Sequence, residues 1–121
     1  LNKNIGKVVG FELSSQEPEK AVNFYRNVFG WKIAEPQWDY WTATTTDGED
    51  KSINGGIAKG PQDFPHGTRI QIEVEVIDDA IEHAVENGAT IVREKMEFEE
   101  FYLAYLNDPT GIGFGLIQNK K

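Results

Sequence analysis

The chain has no cysteine. That excludes disulfide staples, thiolate nucleophiles and zinc–thiolate sites together. Histidine is nearly as scarce: the two are His66 and His83. Basic residues are outnumbered, 12 against 20 acidic, for a formal net charge of −8. Sequence-independent binding to nucleic acid needs clustered Lys and Arg, and an anionic membrane surface disfavours the same balance, so neither partner is expected. No apolar run approaches the ~20 residues that cross a bilayer. No signal-peptide core opens the chain, and the expected location is cytoplasmic.

What is present is a device used twice. Val8–Gly30 reads as strand, turn and helix. Val9, Phe11 and Leu13 alternate with Val8, Gly10 and Glu12, the period of a sheet strand. Ser14 and Ser15 offer hydroxyls to a helix start. Pro18 suits a first helical turn, and Glu17 and Glu19 suit the positive end of the helix dipole. Ala21, Phe24, Tyr25 and Val28 fall at helical spacing, and Gly30 suits the helix exit. Roughly 60 residues later Arg69–Gly88 repeats the pattern, as an internal repeat search is meant to detect. Ile70, Ile72 and Val74 form the strand, Asp78 or Asp79 caps the helix, and Ile77, Ile81, Ala84 and Val85 make its apolar face.

The remaining segments fall into place around these two. Trp31–Glu35 and Asp39–Thr46 read as strands, the second rich in aromatic and β-branched residues. Asp47-Gly48 is a hairpin signal, followed by a weak strand at Ser52–Ala58. Lys59–His66 is Pro- and Gly-rich and reads as a linker. Thr90–Met96, Phe101–Leu106 and Gly113–Gln118 complete the second set, with a turn at Asn107–Gly111. The order is βαβββ twice. One domain over residues 1–121 is expected, with module one at 6–58, a linker at 59–67 and module two at 68–118.

AVNFYRNVFGWKI (Ala21–Ile33) and NDPTGIGFGLIQ (Asn107–Gln118) resemble the helix exit and the last hairpin of the vicinal oxygen chelate superfamily. That superfamily includes glyoxalase I, bleomycin-resistance proteins and extradiol dioxygenases. The resemblance covers nearly the whole chain. It implies an α+β fold in which two βαβββ modules form a curved mixed sheet around a cleft, and a homodimer. Metal-using members place His and Glu ligands at four strand positions. Carried onto this chain, those positions fall on Gly10, on Gly55 or Gly56, on Arg69 or Gln71, and on Gly115. None is His, Asp or Glu, so no metal and no cofactor is expected.

The alternation of the strands puts Gly10, Glu12, Arg69, Gln71, Glu73 and Gly115 on the face away from the helices. Glu12 and Glu73 occupy equivalent places in the two repeats. They are candidates for an acid–base carboxylate pair, or for holding a hard ion such as magnesium; alternatively each is an ion-pair partner of a nearby Arg or Lys. Arg69 is a candidate grip for an anionic ligand, since guanidinium binds carboxylate or phosphate bidentately. Its other reading is a salt bridge to Glu12 or Glu73. Gln71, Gly10, Gly56 and Gly115, with Trp41 and Tyr105 from the aromatic runs, complete the expected ligand-binding set. Three functions follow: a metal-independent binding protein for a small anionic or aromatic molecule, a glyoxalase-type lyase or isomerase, and an interaction module without a ligand.

Overall fold

The computed structural model describes residues 6–46 and 52–120. The Asp47-Gly48 hairpin signal and the lead-in before Gly6 lie outside them. The chain divides into two compact units, one from Gly10 to Arg69 and the other from Ile70 onward together with the residues before Gly10.

The first module holds strand β1 (Lys7–Ser15), helix α1 (Pro18–Phe29), and strands β2 (Lys32–Ile33), β3 (Tyr40–Thr44) and β4 (Asn54–Lys59). β1 runs parallel to β4, with Glu12 opposite Gly56. β4 is antiparallel to β3, and β3 to β2. Helix α1 starts where the sequence said it would. The capping residue is Glu17 and no side chain caps the helix, so the hydroxyl cap expected from Ser14 or Ser15 is not made. Ser15 Oγ accepts the Glu17 N–H at 3.0 Å instead, Pro18 sits in the first turn, and Glu19 adds negative charge there. The helix stops at Gly30, whose φ of 72° is the left-handed conformation that glycine tolerates.

The buried face of α1 is shifted from the expected one. Val22 packs with Trp41 and Ile57, flanked by Leu13, Ala21, Tyr25 and Ile33. Phe24 and Val28 stay more than half exposed. Helical spacing alone allows either stripe. The branched Val22 fits the sheet, while the Phe24 ring packs edge-on against Tyr25 at 5.1 Å instead. Full burial of a side chain such as Ile57 is worth about 1.5–3 kcal/mol, so this cluster anchors the module.

The second module repeats the plan: β5 (Gly67–Glu73), α2 (Ile77–Glu86), β6 (Thr90–Glu97), β7 (Phe101–Asn107) and β8 (Gly113–Asn119). β5 runs parallel to β8, β8 is antiparallel to β7, and β7 to β6, matching the first module strand for strand. Val74, Ile77, Ala104, Leu106 and Leu116 form its core, with Ile72, Ile81 and Ala84 beside them. Val85, expected on the buried face of α2, is 45% exposed.

Neither Asp78 nor Asp79 caps α2. Both lie within its first turn, and the residue before the helix, Val76, has no capping side chain. The cap comes from across the module: Gln118 Oε1 accepts the Ile77 N–H at 2.8 Å. A backbone donor at the helix start is thus satisfied by the last strand, which ties α2 to β8.

The segment expected as a bare linker is built into the first unit. The Gly60 N–H donates to Ser15 O at 3.1 Å. Gln16 Nε2 donates to Gly60 O at 3.1 Å and to Pro65 O at 3.0 Å.

Candidate functional site

On β1 the residues facing away from α1 are the more deeply buried ones. Gly10, Glu12 and Ser14 are buried, while Phe11 and Leu13 on the helix side are only partly so. A carboxylate in such a place needs compensation. Arg69, at the start of β5, supplies it. Its Nη2 lies 3.8 Å from Glu12 Oε1, and the two side chains are 6% and 11% exposed. That separation is an ion contact rather than a hydrogen bond, which would be nearer 2.9 Å. Phe64 covers the guanidinium, with its ring centroid 4.0 Å from Arg69 Cζ, inside the range of a cation–π contact.

Tyr40 completes the cluster. Tyr40 and Thr42 share one face of β3, and Trp41 and Ala43 share the other. Gly56 lies opposite Glu12 on β4 and opposite Thr42 on β3. A Cβ at Gly56 would run into the Tyr40 ring. The glycine is therefore the seat of a tyrosine. Burial pushes the Tyr40 hydroxyl up to about 12, and the Glu12 charge adds to the shift. At neutral pH this phenol is a neutral hydrogen-bonding group beside a buried ion pair.

The parallel pairing also decides between the two glycines in sequence. Gly55 opposes Phe11 and faces the helix side, so Gly56 is the one on the Glu12 face.

The second module carries its own set. Tyr105 opposes Gly115 in the β7–β8 ladder. A Cβ at Gly115 would lie 3.2 Å from Tyr105 Cε1 and 3.6 Å from Gln71 Cγ. Gln71, Tyr105 and Gly115 thus share a face, as the alternation implies. Glu73 has local partners: Lys7 Nζ is 3.6 Å from Oε1, and Asn119 Nδ2 donates to Oε2 at 2.6 Å.

One expectation needs correcting, and three neighbouring positions are placed with it. Trp41 does not join the Arg69 face; it is 7% exposed in the cluster under α1, because one step along a strand reverses the side chain. Trp38 does not join it either. It is 98% exposed, at a tight turn where Gln37 and Tyr40 exchange backbone hydrogen bonds of 2.9 and 3.0 Å. Finally, Gly56 and Gly115 are not simply open space, since a tyrosine ring lies against each.

Tyr40 belonged to the aromatic run read in sequence, without its face. Phe64 and Gln16 were missed. Phe64 had one signal: it is the lone large apolar residue in Lys59–His66.

Among the described residues, no group of three or more His, Asp or Glu side chains could hold a metal ion. The described helices include none long and apolar enough to cross a membrane.

The fold and the repeated strand faces define an α+β protein of two βαβββ modules. A family model for the glyoxalase-like domain matches residues 10–117, and the chain belongs to that family. Among solved structures, it is similar to a glyoxalase/bleomycin resistance protein/dioxygenase superfamily member from Vibrio splendidus 12B01. The TM-score is 0.68 at 16% identity, over 95% of this chain and 99% of that one. It is also similar to methylmalonyl-CoA epimerase from Mycobacterium tuberculosis, with TM-score 0.66 at 11% identity, over 100% of this chain and 93% of that one. The Streptomyces coelicolor epimerase, solved with 2-nitronate-propionyl-CoA, gives 0.68 at 12% identity, over 93% of each chain. At these identities the likeness is one of fold. No curated protein sequence matches the chain significantly.

Proposed function

We propose that this glyoxalase-like protein binds a small organic anion without a metal ion, with Arg69 as the gripping residue and Glu12 and Tyr40 beside it. The observation that carries the reading is the buried Glu12–Arg69 contact on the sheet face away from α1. Burying two charges costs several kcal/mol per ion before their attraction returns any of it, and an apolar pair would fill the same space more cheaply. At 3.8 Å the contact is long for a charge-assisted hydrogen bond. A ligand carboxylate or phosphate could compete with Glu12 for the guanidinium, and the neutral Tyr40 hydroxyl could donate to it.

The metal-free part rests on residue types. The four positions that the family resemblance assigns to metal ligands hold Gly10, Gly56, Arg69 or Gln71, and Gly115 here, which offer no carboxylate or imidazole to a cation. The expectation of a homodimer is carried with this reading and is checked by light scattering on the eluting protein.

The test is a calorimetric screen of small carboxylates and phosphates against their neutral amides and alcohols, run on chelator-treated protein. Anions should bind and neutral isosteres should not, and Arg69→Met should abolish the anion binding. Equal binding of neutral isosteres, or binding unaffected by Arg69→Met, would sink the proposal.

A second reading follows from the same cluster. A buried carboxylate beside a cation and a neutral phenol can take a proton from a carbon next to a carbonyl and return it. Arg69 would steady the negative oxygen that forms while Glu12 holds the proton. Glu12→Gln should then abolish exchange of a substrate carbon-bound hydrogen with deuterated solvent while leaving anion binding measurable.

A further inference from the structure

We infer that Gly60–His66 is a latch over Arg69: Gln16 holds it shut, Phe64 is its plug, and Arg69 is reached only when it lifts. This concerns access to the site proposed above and rests on that reading for its purpose, though not for its test.

The geometry of the segment supports this in three ways. One side chain ties both parts of it together. The Gln16 amide donates both to Gly60 O and to Pro65 O, at 3.1 and 3.0 Å, so a single group pins the two ends of the loop. The fold inside the loop is local: Phe64 N–H donates to Pro61 O at 3.0 Å, and no residue of the segment belongs to the helix-side core. A loop tied by polar contacts at the surface opens more easily than the strands that flank it.

The plug is fitted. The Phe64 ring lies 4.0 Å from Arg69 Cζ, on the face of the guanidinium that a flat ligand group would use. Gly67 makes its socket. A Cβ there would stand 3.1 Å from Phe64 Cζ, and the Gly67 φ of 142° is one that side chains rarely adopt. At the other end, a Cβ on Gly60 would strike the Pro65 carbonyl. The segment is bracketed by glycines, as hinged lids often are.

The experiment uses the arginines themselves. Phenylglyoxal labels accessible guanidinium groups, and mass spectrometry of peptides reports each arginine separately. The chain has three, and Arg26 and Arg93 are exposed internal references. In the unaltered protein Arg69 should label slowest. Gln16→Ala should speed Arg69 labelling by about tenfold, the order expected when two hydrogen bonds are lost from the closed loop, without changing Arg26 or Arg93. Phe64→Ala should speed it as well.

Hydrogen exchange separates the latch from general loosening. In Gln16→Ala, exchange should quicken at the Phe64 amide and not at Ile57. Unchanged Arg69 labelling in Gln16→Ala would overturn the latch, as would exchange that quickens equally at Ile57. If Arg69 behaves as expected but no anion binds in the calorimetric screen, the latch stands and the anion-binding reading falls.

Discussion

Arg69→Met takes the cation away from Glu12 while keeping most of the side-chain length. The two charges stand 3.8 Å apart and nearly out of solvent, so at an effective dielectric of about 20 their attraction is about 4 kcal/mol. Forming the pair costs desolvation, which cancels much of this. Removing only the cation does not recover that cost, because the carboxylate stays buried. The expected loss of stability is therefore about 3–5 kcal/mol, a large share of the ~5–15 kcal/mol that holds a domain of this size together. Loss of the Phe64 contact acts in the same direction. Urea unfolding of Arg69→Met, Glu12→Leu and the double variant measures this as a cycle. Each single change should be costly, and the double should be less costly than the sum by about 1–3 kcal/mol. A loss below about 1 kcal/mol for Arg69→Met, or strict additivity, would refute the reasoning.

Tyr40 sets a pH dependence. Its folded-state value, about 12, lies above the ordinary 10.0, so its contribution is fully present below pH 10 and is lost as pH rises towards 12. Urea unfolding across that window should show a fall of ~2 kcal/mol that Tyr40→Phe removes. Gly56→Leu should cost about 1–3 kcal/mol through overpacking against the Tyr40 ring, and Tyr40→Ala in the same chain should return part of it; a neutral Gly56→Leu would mean that the ring yields freely. Gln118→Ala should cost about 0.5–2 kcal/mol by uncapping α2, seen as faster exchange of the Ile77 amide. The Thr110 hydroxyl and the Ile112 N–H hold the Asp108 carboxyl below its usual value of 3.8. The turn it organises should hold above that value and loosen as pH falls through the lowered one, visible in the Thr110 and Ile112 amide shifts.

The parts of the fold that were legible were those written in period and punctuation. Period two marked β1 and β5, Pro18 and Gly30 bracketed α1, and Asn107–Gly111 marked the last turn. The faces of those strands were legible too, which is why Glu12 with Arg69, and Gln71 with Gly115, could be grouped in advance. What escaped depended on contacts distant in sequence or on conformations that residue type does not announce. The α2 cap comes from Gln118, far along the chain, so Asp78 and Asp79 looked like better candidates than they are. Trp38 and Asp39 take φ values of 57° and 58°, a pair of left-handed residues with no glycine or asparagine to signal them. That turn leads into β3, on which Tyr40 and not Trp41 lies against Gly56 on the Glu12 face. Phe64 sat in a stretch with no periodicity, where pattern reading has nothing to count.

The most direct measurement is calorimetry of a small carboxylate or phosphate panel on chelator-treated protein, repeated with Arg69→Met and again after divalent ions are added. The prediction is anion binding that survives the chelator, is indifferent to added metal, and disappears with Arg69→Met. Binding that appears only once a divalent ion is supplied, together with a metal-dependent rise in Tm, would contradict it and place the chemistry on a cation.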